Sequence, residues 1–177
     1  DTETIVQLIA KSKRDKFTDK LIDTLFQIQG GYSLIMMTNK KLIGIRDPYG
    51  IRPLVLGKLN GSYVFSSETC ALDIIGAKFI REVENGEIII VENGKLSSIK
   101  PFPSIKARPC AFEYIYFARP DSLLNGKCAY EFRKKMGIEL AKESGLDADL
   151  VVPVPDSGVP AALGYSQHSK KSFELGL

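Results

Sequence analysis

An α+β fold followed by the start of an α/β unit is predicted for this chain, and three observations predict it. Short apolar runs between residues 32 and 100 are separated by turn dipeptides, Asn-Gly at three places, which is the punctuation of antiparallel strands. A helical pattern precedes those runs and another follows them. Behind the second lies a continuous apolar run at 150–154, of the kind that suits a parallel strand buried on both faces.

Residues 3–28 read as helix in two pieces. Ile5, Leu8 and Ile9 share one face, and Phe17, Leu21, Leu25 and Ile28 recur at helical spacing until Gly30-Gly31 stops them. Strands are expected at 32–38 and 42–46, with Asp47-Pro48-Tyr49-Gly50 as a turn, because proline presets φ and glycine permits positive φ. Runs 54–59 and 62–66 flank Asn60-Gly61. The same dipeptide at Asn85-Gly86 and Asn93-Gly94 separates runs 79–83, 87–91 and 96–99. A short helix over 69–76, capped by Ser67 or Thr69, interrupts the strands. Residues 32–100 are thus expected to form a mostly antiparallel sheet on a helix layer.

Pro101, Pro103 and Pro109 mark a linker. The aromatic stretch 110–122 reads either as a buried edge strand or as the seam between two folding units. Beyond it, 128–144 is a helical pattern with Phe132, Met136 and Leu140 on one face and Gly145 as its stop. The loop Asp156-Ser157-Gly158 follows the apolar run, and a helix starts near Pro160, the first-turn position proline favours. A further strand is expected from about residue 173. The chain opens without Met inside a helical pattern and stops as a strand begins, which reads as an excerpt of something longer.

Composition bounds the function. The 177 residues carry 44% hydrophobic and 25% charged side chains and a net charge of +3, ordinary for a soluble protein and too weakly basic to argue nucleic acid. No apolar run reaches the roughly 18 residues of a membrane span. Cys70, Cys110 and Cys128 are odd in number and lack C-x-x-C spacing, which favours a reducing, cytoplasmic setting over a disulfide framework. With His168 the only histidine, multi-His metal sites are excluded. Asp47, Glu68, Asp73, Glu113 and Asp121 sit near turns or element ends and read as solvated or capping carboxylates. The 156–158 loop is placed where open α/β sheets bind ligands, and the free N–H groups of the following helix would face an anion such as phosphate.

Several segments together resemble the glutamine phosphoribosylpyrophosphate amidotransferases. Asp1-Thr2-Glu3 is similar to the acidic segment of class II, N-terminal-nucleophile (Ntn-hydrolase) glutaminases. Arg46-Asp47-Pro48-Tyr49-Gly50-Ile51-Arg52-Pro53-Leu54 resembles their R-D-P-x-G-x-R-P-L stretch, and Ser66-Ser67-Glu68-Thr69-Cys70-Ala71-Leu72-Asp73 continues in the same order. The run 112–122, Phe-Glu-Tyr-Ile-Tyr-Phe-Ala-Arg-Pro-Asp-Ser, is more specific to the phosphoribosyl enzymes, as is Val154-Pro155-Asp156-Ser157 at matching distance.

The resemblance implies that 1–104 is the later part of an αββα glutaminase domain, and that 105–177 is the seam and first part of a type I phosphoribosyltransferase domain. It implies glutamine and phosphoribosyl pyrophosphate as substrates, purine nucleotides as feedback inhibitors and a homo-oligomer. It gives Asp1 to the ammonium group of glutamine, Ser157 to the magnesium and pyrophosphate end of the phosphoribosyl site, and Cys110 to the first ligand position of a [4Fe–4S] cluster carried by one branch of the family. The family's Cys nucleophile, its glutamine-carboxylate arginine and its oxyanion Asn-Gly would precede Asp1. The paired-aspartate loop and the remaining cluster cysteines would follow Leu177. The chain by itself is therefore expected to be inactive. Competing readings are the glutaminase half of another class II amidotransferase, or a non-catalytic regulatory module on the same fold.

Overall fold

A computed structural model describes residues 2–176. Helices α1 (Thr2–Lys11) and α2 (Phe17–Leu25) lead into the antiparallel strands β1 (Ser33–Met37) and β2 (Lys41–Arg46). Then come the hairpin β3 (Val55–Leu59) and β4 (Ser62–Ser66), helix α3 (Thr69–Ile74), and strands β5 (Lys78–Glu82), β6 (Ile88–Glu92) and β7 (Lys95–Ile99). The strands make two sheets, β1-β2-β6-β7 and β4-β3-β5, as the αββα resemblance implies and where the strand pattern alone expects one.

The reason lies in the Asn-Gly turns. Asn60-Gly61 and Asn93-Gly94 have both residues at positive φ, as a type I′ hairpin requires. Asn85 is not left-handed and only Gly86 is, so 85–86 carries the chain from the second sheet across to the first. The Gly86 N–H donates to the Asp47 carbonyl at 2.9 Å, which fixes that crossing over the 47–50 turn. A fourth Asn-Gly, Asn125-Gly126, also has both φ positive and joins the two-residue strands β8 (Leu123–Leu124) and β9 (Lys127–Cys128).

Period-2 alternation then builds four layers. In β6, Ile88 and Ile90 face α2 through Leu21 and Leu25, while Ile89 faces Leu54, Leu56, Phe65 and Val83 of the second sheet. On the far side of that sheet, Val55 meets Leu72 of α3 and Ala77. The order is helix, sheet, sheet, helix, the αββα arrangement. Helix α3 begins after Glu68 with no side-chain cap, contrary to the capping expected from Ser67 or Thr69; the Thr69 hydroxyl, inside the first turn, accepts the Leu123 N–H at 2.9 Å.

The proline linker is pinned rather than free. Phe102 stacks on Phe26, and the N–H groups of Arg108 and Cys110 donate to the carbonyls of Tyr49 and Ile51. The edge-strand reading of 110–122 fails: Glu113–Phe117 is a π-helix, closed by an Ala118 N–H to Glu113 carbonyl bond of 3.1 Å. Its one buried side chain is Glu113, and Phe112, Tyr116 and Phe117 stay exposed.

Helix α4 (Ala129–Ser144) packs on α5 (Val159–Ser169), and the two-residue strands β10 (Leu150–Val151) and β11 (Ser172–Phe173) pair in parallel. The expected face of Phe132, Met136 and Leu140 is exposed; Ala129, Arg133 and Gly137 are buried instead. Close backbone approach selects small residues, so the inner face is marked by Gly137 against Ala161 and by Gly164 against Lys134. The run 150–154 is likewise not covered on both faces among the described residues, since Leu150, Val152 and Val154 are exposed and the chief elements against the strand are β11 and α5.

Candidate functional site

The turn after β2 is a buried scaffold. Asp47 is fully buried, and its carboxylate accepts the Tyr49 and Ile51 N–H groups at 2.9 and 3.0 Å while its carbonyl accepts that of Gly50. Arg46 spends its guanidinium on the carbonyls of Arg52, Val83 and Gly50, with Glu82 at 3.6 Å. These groups hold the loop. Under it, burial and the Asp47 charge push the Tyr32 hydroxyl pKa up, and that hydroxyl has no hydrogen-bond partner among the described residues.

What the scaffold presents is Arg52. Its Nε lies 2.8 Å from Glu113 Oε1, and its guanidinium lies 4.6 Å from the Phe117 ring centre. Glu113 is only 5% exposed. Burial raises its carboxyl pKa, Arg52 opposes that rise, and Glu68 adds to it. Glu68 accepts the Ser122 hydroxyl at 2.6 Å, the Arg119 N–H at 2.9 Å and the Cys70 thiol at 3.5 Å. Glu82 accepts the Asn125 N–H at 2.6 Å. Asp47 thus caps its own turn as expected, whereas Glu68 and Glu113, expected to be solvated or capping, are engaged by distant residues. A cleft of about 710 Å³ opens along this line, with Tyr32, Ser33, Arg52, Glu68, Glu113 and Phe117 on its walls. Those wall residues form no nucleophile–base pair. The arrangement can organise charge between Arg52 and Glu68 on one side and the 113–122 segment on the other.

Arg52→Ala should leave Glu113 buried without its cation, at a cost of about 1.5 kcal/mol. Burial raises the pKa of this carboxyl, so the deficit against wild type should shrink as the pH falls. Urea unfolding at neutral and at mildly acidic pH checks this, and a deficit that grows on acidification overturns it.

Comparison with known proteins places these features. Residues 1–73 match the model of the glutamine amidotransferase domain. An amidophosphoribosyltransferase of Rhizobium etli is 57% identical, across 100% of this chain and 37% of its own length. That of Bacillus subtilis is 41% identical, again across 100% of this chain and 37% of its own length. It is homologous to the amidophosphoribosyltransferases. The solved B. subtilis glutamine phosphoribosylpyrophosphate amidotransferase, complexed with ADP and GMP, superposes with a TM-score of 0.95 at 40% identity, covering 99% of this chain and 39% of that one. The chain thus spans about a third of the length of the amidophosphoribosyltransferases it matches.

Of the site residues that the family resemblance implies, Asp1 lies outside the described residues. Ser157 is half-buried in the loop between β10 and α5, where the Gly158 N–H donates to the Val154 carbonyl and Val159 N–H to that of Asp156. Cys110 is half-buried at the start of the seam, a free thiol whose N–H binds Ile51. Among the described residues no three His, Cys, Asp or Glu side chains gather as a metal site. Arg52 and Arg133 were not singled out from sequence. A charged residue inside an aromatic run, Glu113 between Phe112 and Tyr114, was the available signal for the seam. No helix among the described residues is long and apolar enough to cross a membrane.

Proposed function

We propose that this chain joins the glutaminase half to the phosphoribosyl half of an enzyme that makes 5-phosphoribosylamine from glutamine and phosphoribosyl pyrophosphate, an early step of purine synthesis. The observation that carries this reading is that the 57% match covers the whole chain, the seam included, where Arg52 and Glu68 of one unit hold Glu113, Arg119 and Ser122 of the next. We place the unit boundary at 104/105. Ammonia freed from glutamine on one side would cross to the ribose C1 on the other and displace pyrophosphate.

Each residue then has a role. The Asp1 carboxylate receives the ammonium group of glutamine, a charge-assisted contact that selects an amino acid. The oxygens of Asp156 and Ser157, with the N-terminus of α5, suit a phosphate carrying magnesium, which keeps few protein ligands of its own. Magnesium bound there would neutralise the departing pyrophosphate. A [4Fe–4S] cluster needs several thiolates, and Cys110 stands without another cysteine in a metal-holding group, so these residues alone do not fit one and no step runs through it. Purine nucleotides as inhibitors, a homo-oligomer and a cytoplasmic setting complete the proposal. The inhibitor reading is supported by the ADP and GMP in the solved relative.

The test uses the full-length protein with glutamine or ammonia as nitrogen donor. Asp1→Ala should raise the KM for glutamine by an amount equivalent to about 1.5–3 kcal/mol while ammonia-dependent synthesis persists. An equal loss of both activities refutes the assignment of Asp1, and no phosphoribosylamine from wild type with either donor refutes the function.

A further inference from the structure

The end of the seam helix is held from two sides. Its π-type ladder ends with Ala118 N–H to the Glu113 carbonyl, and beyond it Ala118 is extended and Arg119 precedes Pro120, so the Arg119 N–H and the Tyr114 carbonyl find their partners outside the helix. The Arg119 N–H donates to Glu68 at 2.9 Å, and the Tyr114 carbonyl accepts Arg133 Nε at 2.7 Å. Arg133 Nη2 takes the Ala118 carbonyl as well, at 2.7 Å.

Glu68 stands at the β4–α3 junction of the four-layer unit, and Arg133 stands on α4 of the following unit. Arg133 is 2% exposed and has no carboxylate within ion-pair distance among the described residues, an expensive way to keep a charge. A guanidinium kept on those terms for two carbonyls is set there to hold their positions. Those carbonyls belong to the same turn that carries Glu113 against Arg52.

We propose that Glu68 and Arg133 are paired positioning residues that fix the end of the seam helix from opposite units, so that glutamine-derived nitrogen reaches the phosphoribosyl site only when both grips are made. This rests on the function proposed above and deepens it. Neither group touches a reacting atom. Each acts through the seam backbone, and removing either frees the end of the helix that carries Glu113 against Arg52.

The experiment compares wild-type full-length protein with Glu68→Gln, Arg133→Lys and the double variant, measuring glutamine-dependent synthesis, ammonia-dependent synthesis and glutamate released per phosphoribosylamine formed. Each single variant should lose about 10-fold in glutamine-dependent relative to ammonia-dependent synthesis, and release more glutamate per product. The double variant should be no worse than the poorer single one, since the two grips hold one turn. Parallel loss of both activities at an unchanged glutamate ratio would make the pair structural only and overturn the proposal, as would multiplying effects or no effect. If Arg133→Lys does not fold, Glu68→Gln alone decides. Wild type inactive with both donors would instead condemn the underlying function.

Discussion

Gly137→Ala is expected to pry α4 from α5 and to cost about 3 kcal/mol of stability. A Cβ at that position would lie 1.8 Å from the Ala161 carbonyl oxygen and 2.6 Å from its carbon. Both are backbone atoms inside a helix, so neither can rotate away. Gly164 makes the reciprocal contact, 2.0 Å from the Lys134 carbonyl oxygen, so the two helices touch backbone to backbone. Alanine is intrinsically better in a helix by about 1 kcal/mol, which the overlap exceeds. Hydrogen exchange of the full-length protein reads the result by region. Amides of 129–169 should lose protection while those of β2 and β6 keep theirs, and an unchanged melting temperature with full protection would reject the packing argument.

Glu87→Ala is expected to cost about as much, and with a pH signature. Glu87 is 1% exposed, and burial alone would push its carboxyl pKa up. Instead the bidentate Arg81 pair at 2.7 and 2.8 Å, the Ser98 hydroxyl at 2.5 Å and the Glu84 N–H at 2.7 Å hold it at about 2. A carboxyl lowered in the folded state stabilises fully above its unfolded pKa of 4.5, and that stabilisation is lost as the pH falls from there toward 2. The contribution is about 3 kcal/mol at neutral pH. Wild type should lose it between about pH 5 and pH 2, whereas Glu87→Ala should be weak throughout and flatter over that range. Parallel acid limbs for the two proteins would rule out Glu87 as the group responsible.

The two sets of residues were not equally legible in the sequence. Strands, hairpins and the linker were readable because each depends on neighbours: Asn60-Gly61 and Asn93-Gly94 carry their own left-handed φ preference wherever they stand. Asn85-Gly86 carries the same preference, and a distant carbonyl, that of Asp47, overrode it. One sheet thereby became two. The helix face of α4 was misplaced for a related reason, since apolar size predicts burial against side chains and says nothing of a partner backbone that admits only glycine.

The sequence by itself carried the likeness to the amidophosphoribosyltransferases, through motifs such as Arg46–Leu54 and the aromatic run 112–122, together with the strand order along the chain and the Asp156-Ser157-Gly158 loop before a helix. Only the tertiary structure decided which carboxylates matter. Glu68, Glu87 and Glu113 look alike in a linear chain, each beside a turn or element end. Their environments are set by residues 54, 6 and 61 positions away: Ser122, Arg81 and Arg52. Charge interacts through space and is weighted by burial, and neither quantity is local in sequence.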